Sequence, residues 1–262
     1  MASFLERVPL FERDRLEHRF FQPRWASERV SVPAAAVFAR VDGLDPARTQ
    51  RVTLAGGRPT DHPALLEVVE RLKLRGIARI GLETDGRALA DTARVQALVD
   101  AGVRDFFVGV GGIRKRVHEH AMGDPGGLED ALRGLLNAAA SGAATYALVP
   151  VLRWNADDLV PLLDWMLEAS AASGRVRGML LAIPGLDELP RAARAAALPP
   201  SAIASVAAKV FRRAHDHRME YGFDGPAGVA PCASRALDRF GTVFHERIAH
   251  FKRSPGTPLA RV

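Results

Sequence analysis

Cysteine is nearly absent from this chain: Cys232 is the one thiol in 262 residues. A single thiol forms no intramolecular disulfide, which suits a reducing, cytoplasmic setting. It also excludes any multi-cysteine zinc or iron–sulfur site built by this chain alone. Aromatic residues make up only 6% of the sequence, so a core drawn from the 48% apolar content rests on Ala, Leu and Val. No apolar run reaches the length of about 18 residues that a membrane-spanning helix needs, so no membrane segment is expected. The start, Met1 to Arg7, is charged and lacks the apolar stretch of a secretory signal, so none is expected there. No Gly-x-Gly-x-x-Gly follows the first clear strand, which argues against a dinucleotide-binding sheet.

The composition does show a positive excess, +6 overall, in which Arg far outnumbers Lys. From Ser234 to Val262 there are six Lys or Arg against two Asp or Glu, so that end alone holds +4 of it. Basic surfaces favour anionic partners in general. Phe240, Phe244 and Phe251 punctuate this tail at helical spacing and suggest a stripe that packs on the domain or on a partner. Stacking on nucleic-acid bases is the lesser reading of the same stripe.

The internal pattern is a regular alternation. Strand-like runs begin near residues 51, 78, 105, 145 and 176, and helix-patterned segments lie between them. Spacings of about 30 residues describe successive βαβ units and a parallel sheet covered by helices. The expected fold is α/β, a partial (β/α)6-type or TIM-like parallel barrel. Phe20 to Trp25 is a candidate further strand, and Phe4 to Phe11 reads as a short amphipathic turn or helix. Residues 1–32 form a charged arm, 33–188 the barrel, and 189–262 a mostly helical extension. In that extension Ser201 is the expected N-cap of a helix to about Arg218, and Met219 to Phe223 is a candidate last strand.

Four motifs occur in order along the barrel. The first strand ends in Gly56-Gly57-Arg58-Pro59, followed by His62-Pro63. The second ends in Thr84-Asp85-Gly86, with Leu89 beyond. The third ends in Gly109-Val110-Gly111-Gly112, then His118 and the helix start Gly126-Gly127. The fourth leads into Arg153-Trp154-Asn155. In this arrangement residues 33–185 resemble the radical S-adenosylmethionine (SAM) superfamily. That resemblance implies a site at the carboxyl ends of the strands. It also implies a [4Fe–4S] cluster, held by a Cys-x3-Cys-x2-Cys loop ahead of the first barrel helix, whose open iron binds SAM.

The departures bear directly on that chemistry. The corresponding stretch, Phe20 to Val32, contains no cysteine, and His18 stands alone near it. Arg58 replaces the family's glutamate, placing a cation where the resemblance implies contact with the amino end of SAM, a like-charge juxtaposition. Gly109, Gly111 and Gly112 replace polar residues with bare backbone.

The expected ligand-binding mouth comprises Gly56, Gly57, Arg58, Glu83, Thr84, Asp85, Gly111, Gly112, Arg153 and Asn155. Arg58 and Arg153 could converge on an anion, or Arg58 could pair with Glu83 or Asp85. Gly111-Gly112 could offer amides to a phosphate or simply form a turn. No catalytic residue and no metal ligand is assigned. His118-Glu119-His120 and His215-Asp216-His217 have i, i+2 spacing, which diverges on a helix, and read as surface histidines. Cys232 reads as a plain thiol.

The resulting expectation is a cluster-less binding, scaffolding or regulatory protein with no iron–sulfur cofactor, with SAM binding left open. Its partner would be another protein or a second copy. A non-radical enzyme acting on an anionic small molecule and a nucleic-acid binder are the alternatives. After anaerobic reconstitution with iron and sulfide the purified protein should stay colourless and should not cleave SAM under reducing conditions. A brown preparation with stoichiometric iron would overturn this reading.

Overall fold

The computed structural model describes residues 32–56, 58–174, 176–183 and 194–224, together with the backbone of 5–9 and 244–245. Strands are β1 Leu5–Pro9, β2 Arg51–Ala55, β3 Arg79–Thr84, β4 Val103–Gly109, β5 Ala144–Pro150, β6 Gly178–Ala182, β7 Glu220–Asp224 and β8 Phe244–His245. Helices are α1 Ala34–Asp42, α2 Leu65–Leu74, α3 Thr92–Ala101, α4 Lys115–Met122, α5 Leu128–Ala140, α6 Leu159–Ser173 and α7 Pro200–Asp216. All eight strands pair in parallel and in sequence order. A doubly wound sheet would reverse its order and place helices on both faces. Here the order never reverses, as in a partial α/β barrel.

Strand period 2 explains the layering. Val52 and Leu54, Ile80 and Leu82, Phe106 and Val108, Ala147 and Val149, and Met179 and Leu181 share one face. They form a single buried cluster with residues of α1, α2, α3, α5, α6 and α7. The opposite, inner face carries the alternate residues. Its smaller apolar cluster is Phe107, Tyr146, Leu148, Leu180 and Ala182, with Met122 of α4 packed onto it. Thus α4 differs from the other helices: it lies over the inner layer.

The inner face is also where charge is buried. Arg79 makes a two-pronged contact with Asp105, which is almost fully buried. Glu83, Phe107, Tyr146, Gly178 and Glu220 are successive partners across β3 to β7. Phe107 and Tyr146 stack with centroids 5.6 Å apart. A Cβ at Gly178 would run into the Glu220 backbone, and across this glycine the Tyr146 hydroxyl donates to Glu220 Oε2 at 3.1 Å. Burial and the neighbouring Glu220 carboxylate push the Tyr146 phenol above its ordinary value.

Several expectations need correction. Leu5–Pro9 is a strand paired with β2 rather than a turn or helix. Its two charges and terminal proline hide it in the sequence, but an edge strand tolerates both. The expected last strand at Met219–Phe223 is present as β7, and the sheet gains β1 and β8 at its two edges beyond the strands expected. Phe20 to Trp25 lies outside the described residues, as do Phe240, Phe251 and Cys232. Phe244 belongs to β8, so the helical stripe fails at that position. The expected helix from Leu89 to Ala101 is broken: a 3-10 turn at Arg87–Ala90 precedes α3, whose N-cap Asp91 accepts from the Ala93 amide at 2.9 Å. Helix α7 is entered through Pro199 and Pro200 rather than capped by Ser201, since proline presets the first helical φ. Both α7 and β7 continue the same alternation beyond residue 188. No helix among the described residues is long and apolar enough to cross a membrane.

Helix α5 crosses the turn after β3 so closely that a Cβ on Gly134 would lie 2.0 Å from the Gly86 carbonyl oxygen. Helix propensity alone favours Gly134→Ala by about 1 kcal/mol. Overpacking against backbone costs about 1–3 kcal/mol and here has no flexible atom to displace. Gly134→Ala should therefore lower unfolding stability by roughly 2 kcal/mol in urea titration. A gain of about 1 kcal/mol would show that propensity wins.

Candidate functional site

The carboxyl ends of β2 to β5 bring the sequence-expected residues together in two groups. The first surrounds Arg58. Beyond β2, Gly56 takes φ 89°, and Arg58 enters a 3-10 turn at Pro59–Asp61. Gly57 lies outside the described residues. The Arg58 Nε sits 2.6 Å from Asp85 Oδ2, at an angle that makes an ion pair rather than a hydrogen bond. Its Nη2 donates to Asp124 Oδ1 at 3.1 Å. Arg87 Nη1 donates to the same Asp124 oxygen at 2.7 Å. Two arginines and two aspartates thus form an alternating, internally neutral network. Burial pushes the Asp85 carboxyl above its ordinary range, while the Arg58 guanidinium opposes that shift.

The β3 end is a compact turn. The Gly86 amide donates to Thr84 Oγ1 at 3.1 Å, and the Arg87 amide to Asp85 Oδ1 at 3.2 Å. Glu83 is buried two residues before Asp85 but lies in the inner row with Phe107 and Tyr146. His62 anchors this corner: its Nδ1 accepts from the Ala64 amide at 3.2 Å, which leaves Nε2–H to donate to the Val32 carbonyl at 2.9 Å.

The second group joins the ends of β4 and β5. Asn155 is fully buried. Its Oδ1 accepts from the Leu152 amide at 2.9 Å, and its Nδ2 donates to the carbonyls of Pro150 and Gly111 at 2.6 and 2.7 Å. The Gly111 amide donates to His118 Nδ1 at 3.2 Å. Asp158, 1% exposed, accepts from the Ile113 and Arg114 amides at 2.7 and 3.0 Å and from Arg114 Nε at 2.6 Å. An internal carboxylate therefore occupies the amide pocket at the start of α4, where a helix dipole favours negative charge. A Cβ at position 112 would lie 2.4 Å from that carboxylate, which is why glycine stands there. The Gly111 amide and the amides just beyond Gly112 are thus engaged within the fold. The Arg153 side chain is exposed and its Nε donates to the Ala195 carbonyl at 3.3 Å, so Arg58 and Arg153 hold different partners.

Three residues were not singled out in the sequence as site residues. Asp124 sits in Gly-Asp-Pro-Gly, Arg87 follows the Asp85-Gly86 turn, and Asp158 reads as an ordinary helix start. No spacing rule links them to Arg58 or Gly112. The surface reading also fails for His118, which is 1% exposed, whereas His120, His215 and His217 are exposed. His120 packs edge-on against Trp154 with centroids 3.8 Å apart. Among the described residues no group of three or more His, Cys, Asp or Glu is placed to hold a metal ion.

The description Radical SAM superfamily matches residues 19–166, more than half of the chain. The chain belongs to the radical SAM superfamily. The superfamily's cluster does not fit the donor set here, because one cysteine cannot replace three and the segment from Phe20 to Val32 has none. Nor does Arg58 suit a SAM amino group: it is a cation, already held by Asp85 and Asp124.

No curated protein sequence matches. Among solved structures the fold is similar to Streptococcus suis SuiB bound to precursor peptide SuiA, with TM-score 0.61 at 10% identity, over 82% of this chain and 45% of that one. It is similar to anSMEcpe with bound AdoMet and Kp18Cys peptide, with TM-score 0.61 at 12% identity, over 82% and 60%. A domain of pyruvate-formate lyase-activating enzyme from Bacteroides vulgatus gives TM-score 0.51 at 19% identity, over 66% and 98%. The chain spans less than half of SuiB, and at these identities the likeness establishes fold alone.

His118 makes the site sensitive to acid. Desolvation lowers its pKa from 6.5 to about 4, and protonation at Nδ1 would also break the Gly111 contact. A histidine with a lowered folded pKa contributes its full stability above 6.5 and loses it as pH falls toward 4. The loss across that window is at most about 3 kcal/mol. His118→Gln retains an acceptor without a titrating ring. Its unfolding free energy should fall less than that of the wild type between pH 6.5 and 4, and parallel profiles would refute the assignment.

Proposed function

We propose that this protein is a non-catalytic member of its superfamily, a binding, scaffolding or regulatory subunit whose partner is a peptide or protein. The observation that carries this reading is the Arg58–Asp85–Asp124–Arg87 network. It places a cation at the family's acidic position and ties it to two aspartates. In this reading the sheet curves into a partial barrel. Its mouth is stabilised by internal ion pairs, and its inner layer is filled by Phe107, Tyr146, Leu148 and Met122. The peptide ligands of SuiB and anSMEcpe support the choice of partner class, since they sit on a similar fold. A second copy of the chain is the other partner consistent with the reading.

Two measurements test it together. Native mass spectrometry of the protein isolated from its own cells should show a defined complex with a second polypeptide or with another copy. Calorimetry with SAM should show no saturable heat for the wild type. A monomer without partners that binds SAM tightly would refute the proposal.

A further inference from the structure

Helix α4 lies across the inner layer, whereas the other helices pack on the outer face. Its two ends are tied to different parts of the rim. Before it, Asp158 at the start of α6 accepts from the Ile113 and Arg114 amides and from Arg114 Nε. After it, Asp124 accepts from Arg58, which follows β2, and from Arg87, which follows β3. Residues 113–126 therefore run as a strap from the start of α6 to the ends of β2 and β3. Met122 of the strap packs onto Phe107, Tyr146, Leu148, Leu180 and Ala182.

The two ties differ in strength. Asp158 is 1% exposed and takes two backbone bonds besides its guanidinium contact. Asp124 offers one oxygen to two guanidinium groups that are 31% and 36% exposed, and ion pairs open to water stabilise little. Between the ties the hold is thin. Met122 joins the inner cluster, and Ala121 joins a small one with Leu152 and Ala196. His118 Nδ1 accepts from the Gly111 amide at 3.2 Å, and His120 packs on Trp154. A helix of eight residues is too short to be stable by itself. Few buried apolar contacts and a part-exposed polar tie mark a segment that opens before the domain unfolds.

The loop after α4 belongs to the same unit. Asp124 N–H donates to the Glu119 carbonyl at 3.2 Å, and Gly126 N–H donates to Glu119 Oε1 at 2.7 Å, so the aspartate is carried on α4. Gly126 has φ 79°, and a Cβ there would meet nothing within 4 Å, which leaves room for a hinge ahead of α5. A Cβ at Gly127 would lie 2.1 Å from Asp124 Oδ2, so glycine at that position preserves the carboxylate's place between its arginines.

We propose that residues 113–126 form a strap that opens as a unit, held at its Asp158 end and released at its Asp124 end, with Arg58 and Arg87 as the latch. Closed, the strap covers the inner apolar layer; open, it uncovers that layer. The device gives Arg58 a task of its own at the family's acidic position, and it does not depend on the partner class proposed above.

Hydrogen exchange and methionine oxidation of the full chain test the proposal. In the wild type the amides of 113–126 should exchange together and ahead of β2 to β6. Dilute hydrogen peroxide should convert Met122 to its sulfoxide faster in Asp124→Asn than in the wild type, by at least tenfold. Gly127→Ala should do the same, because it displaces the carboxylate without altering α4. Arg58→Gln, a change 66 positions from Asp124, should also speed Met122 oxidation. Met166 and Met179, both fully buried in the outer cluster, should keep their wild-type rates in all three variants. Asp42→Asn, which breaks the distant Arg71 pair, should leave Met122 unchanged. Equal Met122 rates in the wild type and the three latch variants, or equal acceleration of Met122, Met166 and Met179, overturns the proposal.

Discussion

The polar groups buried on the inner face of this sheet, Asp105 and the Tyr146 hydroxyl among them, have to find their partners inside the protein. Six of the seven helices pack against the outer face in one apolar cluster, while the inner face is filled by a smaller one with Met122 of α4 over it. Burying an unpaired charge costs several kcal/mol, and removing one member of a buried pair costs about 3–5 kcal/mol. The inner layer obeys that constraint with Arg79 on Asp105 and with Glu220 shared between Arg177 and Tyr146. By contrast, the Arg71–Asp42 pair is about 40% exposed on both sides and contributes little by itself.

The strand ends follow the same rule with different means. Asp158 brings a carboxylate to the amides preceding α4, and Asn155 satisfies three backbone groups from the loop after β4, from β5 and from the loop after β5. Arg58 is held between Asp85 and Asp124. The rim that could present charge to a cofactor instead presents charges to itself. Together with the missing thiolates, this argues against the superfamily's usual radical chemistry at these strand ends.

Much of the fold was legible in advance. β-Branched and leucine-rich runs at regular spacing, separated by amphipathic helices, identify β2 to β6 and α1 to α6, because burial against one face imposes the periodicity directly. The edges were not legible. Leu5–Pro9 has charge and proline where a central strand would have neither, and its identity depends on the neighbour it finds in β2. At the site, Arg58, Asp85 and Asn155 were visible from their motifs, and the Arg58–Asp85 pair was one of the options the pattern offered. Asp124, Arg87 and Asp158 were not visible, because nothing local distinguishes them from loop and cap residues.

The sequence alone determined the donor inventory. A chain with one cysteine cannot supply three thiolates, whatever its fold, since that limit is covalent. It also determined the alternation of strand and helix, which follows from local spacing of apolar residues. The tertiary structure decided what the polar residues do. Arg58 meets Asp124 across 66 positions, Arg114 meets Asp158 across 44, and Tyr146 meets Glu220 across 74. Such pairings arise from strand order and register, and no short-range pattern specifies them before the sheet has formed.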